Sequence, residues 1–401
     1  MIDFPALAEI VTKSPSKIVM LVADGLGGLP HPETRKSELE TASTPNLDRL
    51  AGVSACGLTT PVLPGVAPGS GPGHLGLFGY DPVKYLIGRG VLEALGIGVP
   101  VAPGEVAARG NFCTVDEDGV IVDRRAGRIA SEESAALVEM LDTIDVPGVQ
   151  ASVYPVKDYR FVLKLTGEGL SDQVTETDPQ RTGAKPQDVE AIAPEAAATA
   201  KAVNDFIREA WSMLAEQPKA NMLTLRGFSL LPHLPSMVDR YLLDPAAIAA
   251  YPMYRGLASL LGMKVIPTGG TFADEVATLR ERWDEHDFFY LHYKPADAAG
   301  EDGNFDAKVE TLEELDRFIP EVLALEPDVF MVAGDHATPS IMAAHSWHPV
   351  PFLLHSKWTL GEGVEAFNER ALGAGSLGRF PAEHIMLQAL AHADKLTKFG
   401  P

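Results

Sequence analysis

IVMLVADG, residues 18–25, is a run of apolar residues that ends on an acid and a glycine. It is apolar at every position rather than at alternate ones. A strand covered on both faces requires that pattern, and such strands belong to parallel sheets. The pattern recurs in Val329–Ala333 (VFMVA), which leads into Gly334-Asp335-His336, in Phe288–Tyr293 (FFYLHY), in Pro351–Leu354 (PFLL) and around Val265–Ile266. Helical spacings lie between these runs. Pro194–Glu216 carries Val203, Phe206, Ile207, Ala210, Trp211 and Leu214 at intervals of three and four behind an early proline. Thr311 and Glu314 read as a capping box ahead of Leu315, Phe318 and Ile319, with Pro320 expected to kink or end that helix. Strands alternating with helices give an α/β class.

The stretch from about Val99 to Gln180 is different. Val120–Val122 and Phe161–Leu165 read as strands, and Asp118-Gly119 as a hairpin turn. The expected organisation is a core of residues 1–95 and 245–401, interrupted by a smaller α+β domain at 96–244. A length of 401 residues suits two domains.

The formal charge of −22 repels phosphate backbones and anionic lipid, so neither nucleic acid nor membrane is expected as a partner. Cys56 and Cys113 are far apart and suggest no disulfide framework. Reduced, buried thiols are expected. The N-terminus lacks the pattern of a leader, and no apolar run approaches the ~18 residues of a membrane span. A cytoplasmic protein is the expectation, and a homo-oligomer is compatible with it.

Chemistry gathers at the ends of the apolar runs, where open α/β sheets bind their ligands. Asp24 ends the first, although an acid there serves as often to cap a helix. Asp335 and His336 end another. Asp297 and Glu301, four residues apart, follow FFYLHYKP and taken alone would read as a solvated acidic turn. His345 and His348 precede PFLL, and one of them can be a packing histidine. Counted together, Asp24, Asp297, Glu301, Asp335, His336 and His345 are a mixed carboxylate–imidazole set suited to Mn²⁺ or Zn²⁺, less often Mg²⁺. They exceed what one ion needs, and two adjacent ions form the clamp used in phosphoryl transfer.

Ser70 lies within VAPGSGPGHLGLFGYDP, residues 66–82. A metal would activate that hydroxyl, and the flanking glycines would admit a phosphoryl group. Neither a Walker loop nor a G-x-S-x-G elbow is present. Arg109, the cluster Arg124, Arg125 and Arg128 in DRRAGR, Arg160 and Arg226 are candidates for binding an anionic substrate, with ordinary salt bridges as the alternative for any one of them.

Asp24-Gly25, PGS…HLGLFGYDP, GRG at 88–90, NFCTVD, DRRAGRI, LRG, K-x-x-D-x-x-G-x-D-G, GDHATPS and H-S-x-x-PVP together resemble the cofactor-independent phosphoglycerate mutases of the archaeal type, in the alkaline phosphatase superfamily. The resemblance covers essentially the whole chain. It implies an alkaline-phosphatase-like three-layer core with a mostly parallel sheet and an inserted substrate-handling domain. It implies that Ser70 attacks the phosphoryl group, and that 3- and 2-phosphoglycerate interconvert through a phosphoserine without 2,3-bisphosphoglycerate. One metal site would map to Asp24, Ser70, Asp335 and His336, the other to Asp297, Glu301 and His345. Lys294, the first residue of K-x-x-D, joins the arginines as a substrate-binding cation. The implied cofactors are two divalent ions, Mn²⁺ first, with Mg²⁺, Zn²⁺ and Co²⁺ also admitted, and no organic cofactor. Glu301 stands where the family often has histidine, and Gly71 where an acid often follows the serine. A metal-dependent phosphomonoesterase, or a mutase for another phosphorylated metabolite, is the alternative on the same core.

Overall fold

The computed structural model describes residues 6–361 and 363–400. The reading of the N-terminus as lacking a leader rests in part on Met1–Pro5, which lie outside the described residues. Among the described residues there are thirteen strands: β1 (Ile18–Ala23), β2 (Ala55–Thr60), β3 (Val106–Val115), β4 (Ile121–Asp123), β5 (Gln150–Pro155), β6 (Arg160–Thr166), β7 (Met222–Leu230), β8 (Pro245–Ile248), β9 (Lys264–Val265), β10 (Phe288–Tyr293), β11 (Val329–Ala333), β12 (Val350–Ser356) and β13 (Gly378–Pro381). The chain divides into two compact units. One comprises Met1–Leu86, Leu234–Ala250 and Ala258–Pro401, and the other Ile87–His233 and Tyr251–Leu257. The division thus falls before the helix Arg89–Gly96 rather than at residue 95. That helix lies on β3 so closely that a Cβ at Gly90 would sit 2.2 Å from the Ala107 carbonyl.

The first unit is built on an eight-stranded sheet in the order β13-β2-β12-β11-β1-β10-β8-β9. It is mostly parallel, as the unbroken apolar runs predict; only β12 runs antiparallel to its neighbours β11 and β2. Every residue of β1, β10 and β11 is buried. Val19, Leu21 and Ala23 pack into a core with Leu47, Val276, Leu312 and Leu315 of helices on one face. Ile18, Met20 and Val22 point the other way and are equally buried, so both faces are covered. Three layers follow from that.

The helix expected around Leu315 is longer than its sequence signals suggest. It spans Phe305–Leu323 and is capped by Asn304, whose side chain accepts from Ala307 N. Thr311 and Glu314 therefore lie inside it, and Pro320 does not end it. Proline removes the N–H that would bond the Asp316 carbonyl one turn earlier. Asn46 Nδ2 donates to that carbonyl instead, at 3.1 Å.

The second unit has a five-stranded antiparallel sheet, β4-β3-β6-β5 with β7 also paired to β3. The helices Ser131–Leu141 and Ala197–Leu214 pack on it through Val138, Leu141, Val203, Phe206, Ala210 and Leu214. Trp211, read as part of the apolar stripe, is half exposed. Cys56 and Cys113 are buried thiols with no disulfide between them. Among the described residues no helix is long and apolar enough to cross a membrane.

Candidate active site

Strand direction assembles the site. β1 lies between β10 and β11, parallel to both, with Ala23 opposite Tyr293 and Val22 opposite Ala333. Asp24, Lys294 and Asp335 therefore emerge along one edge of the sheet. β2 runs the same way, and the chain after it reaches that edge at Ser70, the first residue of the helix Ser70–Leu77. β12 runs in the opposite sense, so its start, preceded by His345, lies there too. Tight packing holds these loops together. Gly25 has φ +69°, and a Cβ there would fall 2.7 Å from Thr338 Oγ1. A Cβ on Gly73 would fall 2.2 Å from the Asp335 carbonyl, so this glycine seats the serine helix on the Asp335 loop. The sequence reading gave it instead to the phosphoryl group.

His336 is the hub. Its Nε2 lies 3.2 Å from Ser70 Oγ, 3.3 Å from Asp24 Oδ1 and 3.2 Å from Asp335 Oδ2. Asp24 Oδ2 receives His292 Nε2 at 3.0 Å and Lys294 Nζ at 3.1 Å. Lys294 Nζ also bonds Asp297 Oδ2, so the predicted substrate-binding lysine is ion-paired to two predicted metal ligands. Asp297 Oδ1 accepts the Thr338 hydroxyl at 2.6 Å and lies 3.6 Å from His345 Nε2. The rings of His336 and His345 stack 3.6 Å apart. His345 Nδ1 meets the Pro68 carbonyl at 2.9 Å. Glu301 is more than half exposed and reaches His345 Nε2 at 3.5 Å.

His74 is a site residue that the sequence reading passed over. Fully buried, its Nδ1 lies 2.8 Å from the Ser70 carbonyl and 3.1 Å from Asp335 Oδ2. Its signal was its place four residues after Ser70, one turn along the same helix.

Burial works against charge throughout this site, and the partners decide the outcome. Burial would raise the Asp24 carboxyl, but Lys294, His292 and His336 hold it well below the ordinary carboxylate range. Burial and Asp24 would raise Asp335, but His336 and His74 hold it low. Burial pushes His292 down to about 4 against the pull of Asp24. Burial would also lower His74, yet the Asp335 carboxylate raises it. His345 is raised to about 9 against burial by Glu301, the Pro68 carbonyl and Asp297. His336 is lowered by burial.

This donor set suits divalent cations. Asp24, Asp335 and His336 form one group, and Asp297, His336 and His345 another, each with ligand atoms within 4.8 Å of one another. Three fully buried carboxylates, Asp24, Asp297 and Asp335, face the Lys294 ammonium and the raised imidazoles of His345 and His74, so a divalent cation would take over charge that protons otherwise balance. Asp335 Oδ2 is buried without a well-aligned hydrogen bond.

The inserted unit gathers arginines on one face of its sheet. Arg109 pairs with Arg226 across β3 and β7, and Asn111, two residues on, pairs with Arg160 of β6. Arg109 Nη1 lies 3.3 Å from Glu93 Oε1; Asp178 Oδ2 receives Arg124 at 2.9 Å and has Arg226 at 3.9 Å. Burial lowers the Arg109 guanidinium to about 10, aided by Arg89, Arg160 and Arg226 and opposed by Glu93. Arg89 is thus a further member, visible only through its place in the fold. The Nε atoms of Arg109, Arg124 and Arg160 are buried without partners. Arg125 and Arg128 are exposed, and their side chains make no hydrogen bond or ion pair among the described residues.

The chain is 52% identical over 396 residues to a probable 2,3-bisphosphoglycerate-independent phosphoglycerate mutase of Thermotoga neapolitana, covering 98% of both chains. The chain belongs to the 2,3-bisphosphoglycerate-independent phosphoglycerate mutase family. The family is one of isomerases, and it interconverts phosphoglycerates in glycolysis. A family model of the same description matches residues 51–220. A probable mutase of the same description from Thermus thermophilus is 49% identical over 402 residues, covering 99% of both chains. Among solved structures, the cofactor-independent phosphoglycerate mutase of Thermoplasma acidophilum is 29% identical with a TM-score of 0.70, covering 94% of this chain and all of that one. A Pyrococcus horikoshii protein is 27% identical with a TM-score of 0.84, covering 96% and 99%.

Proposed function

We propose that the chain interconverts 3- and 2-phosphoglycerate through a phosphoserine on Ser70, without 2,3-bisphosphoglycerate. The observation that carries this reading is the convergence of Ser70 Oγ, Asp24 and Asp335 on His336 Nε2 within 3.3 Å. Asp24, Ser70, Asp335 and His336 would hold one divalent ion. Asp297 and His345 would hold a second, with Glu301 beside His345. When bound, the ions neutralise phosphoryl oxygens and lower the pKa of the serine hydroxyl. Mn²⁺ is the first choice, because the set is rich in hard carboxylates and Glu301 adds another.

Ser70 Oγ attacks phosphorus, the bond to the C3 oxygen breaks, and glycerate is left beside phosphoserine. Glycerate then turns within the site, and its 2-hydroxyl takes the phosphoryl group back. Lys294 adds positive charge next to Asp24 and Asp297. Arg89, Arg109, Arg160 and Arg226 receive the substrate's carboxylate and phosphate, with Arg124, Arg125 and Arg128 supplying further donors. Water must be kept from the phosphoserine, since its hydrolysis would make the enzyme a phosphatase. The expected setting is cytoplasmic glycolysis.

The test couples 2-phosphoglycerate formation to enolase, starting from 3-phosphoglycerate with no bisphosphoglycerate. It is run after chelation, with Mn²⁺ restored, and with free phosphate followed in parallel. Turnover should depend on the metal and exceed phosphate release. Ser70→Ala should abolish turnover and keep the metal content. Isomerisation by Ser70→Ala at the normal rate would remove the phosphoserine, and phosphate release outpacing 2-phosphoglycerate would favour a phosphomonoesterase.

A further inference from the structure

Thr338 sits between the two candidate metal groups, and its single hydroxyl proton settles a question about His336. Its Oγ1 lies 2.6 Å from Asp297 Oδ1 and 2.9 Å from His336 Nδ1. Asp297 is a carboxylate ion-paired with Lys294 and can only accept. The hydroxyl proton therefore goes to Asp297, which leaves an oxygen lone pair facing Nδ1. Two lone pairs at 2.9 Å would repel, so Nδ1 carries the proton. The other nitrogen is then the one left to hold either a second proton or a cation. That other nitrogen, Nε2, is the one facing Ser70, Asp24 and Asp335.

Thr338 cannot turn away from this arrangement. It is fully buried, its N–H donates to the Gly27 carbonyl at 3.1 Å, and its own carbonyl accepts Lys308 Nζ at 2.7 Å. Lys308, itself fully buried, spends its other two protons on the carbonyls of Gly25 and Gly27, at 2.9 and 3.0 Å. One ammonium thus ties the loop after β1 to the loop after β11.

We propose that Thr338 is a positioning residue that fixes a proton on His336 Nδ1, so that Nε2 is the nitrogen offered to a cation beside Ser70 and the Asp24–Asp335 pair, while linking His336 to Asp297. The inference rests on the metal-site reading for its affinity consequence alone; the tautomer is a property of the metal-free chain. Partners of this kind typically change metal affinity by about 10–100-fold when removed.

The experiment uses the full chain, stripped of metal and labelled with 15N-histidine, with His336 assigned by difference against His336→Gln. The wild type should show a protonated Nδ1. Thr338→Val keeps the shape and loses the hydroxyl. It should shift His336 toward the Nε2–H form and weaken Mn²⁺ binding, measured by calorimetry, about 10–100-fold. Thr338→Ser should restore both. A wild type with a bare Nδ1 overturns the proposal without recourse to any variant. So does a Thr338→Val protein that keeps Nδ1–H and binds Mn²⁺ within about twofold of wild type. A wild type with Nδ1–H that binds no divalent metal would uphold the tautomer assignment and sink the metal reading, so the two fail separately.

Discussion

Removing divalent metal should lower the melting temperature of the first unit by a large and calculable amount. Asp24, Asp297 and Asp335 are buried within a few ångströms of one another, and Lys294 is the only ammonium bonded to them among the described residues. Folding assembles these carboxylates, whereas the unfolded chain disperses them. An ion that binds only the folded form stabilises it by about 2.7 kcal/mol at 100 times its dissociation constant, so two ions each held at that excess contribute roughly 5 kcal/mol. For a unit of about 250 residues, each kcal/mol moves the midpoint by about 2–4 °C, so the expected rise is roughly 10–20 °C. Scanning calorimetry on the full chain, dialysed against chelator and then loaded with Mn²⁺, measures it. Asp297→Asn should remove roughly half of the shift, because it disables one group. The shift should also grow between pH 7 and 9, because His345, held near 9, must lose its proton to bind. Chelated and loaded proteins melting within about 2 °C of each other would refute the reasoning. So would an Asp297→Asn protein with the full shift.

The arginine face gives a separate prediction. Arg226→Met removes a charge-assisted contact of about 1.5–3 kcal/mol, so KM for 3-phosphoglycerate should rise roughly 10–100-fold while Mn²⁺ affinity stays within about twofold; steady-state kinetics with an unchanged KM would take Arg226 out of substrate binding. His74 makes stability depend on pH. Its folded pKa is raised by Asp335, so its contribution is fully present below the ordinary histidine value and fades as pH climbs through the raised one. In metal-free protein the gap in melting temperature between wild type and His74→Phe should therefore be wider at pH 6 than at pH 9, and a gap constant across that range would show that His74 does not titrate.

The candidate ligands at the sheet edge were legible because strand direction is legible. Continuous apolar runs imply parallel strands, parallel strands share a carboxyl edge, and acids that end such runs must meet there. That chain of inference needs nothing beyond local sequence for Asp24, Asp335 and His336. It fails where a partner comes from elsewhere. Pro320 was read as kinking or ending its helix, since nothing near it reveals that Asn46 supplies the missing donor to the Asp316 carbonyl. Arg89 stayed hidden within GRG, because only the register of β3 against β7 and β6 gathers the other arginines beside it. Thr338 within GDHATPS was given no role, because only the fold sets Asp297 and His336 on either side of its oxygen.

Glu301 marks the limit of spacing arguments most clearly. Four residues separate it from Asp297, which puts both carboxylates on one face of a helical turn. Spacing gives the face but not the depth. The helix Pro295–Glu301 begins at the floor of the site and ends at its rim, so the Asp297 side chain is buried and that of Glu301 is more than half exposed. A carboxylate at the floor is desolvated and needs a cation. One at the rim can be satisfied by water or by His345, whose proton it helps to hold. Glu301 therefore acts first on His345. It adds negative charge beside that imidazole and raises the cost of deprotonating it, so an ion reaching the second group competes with a proton as well as with solvent.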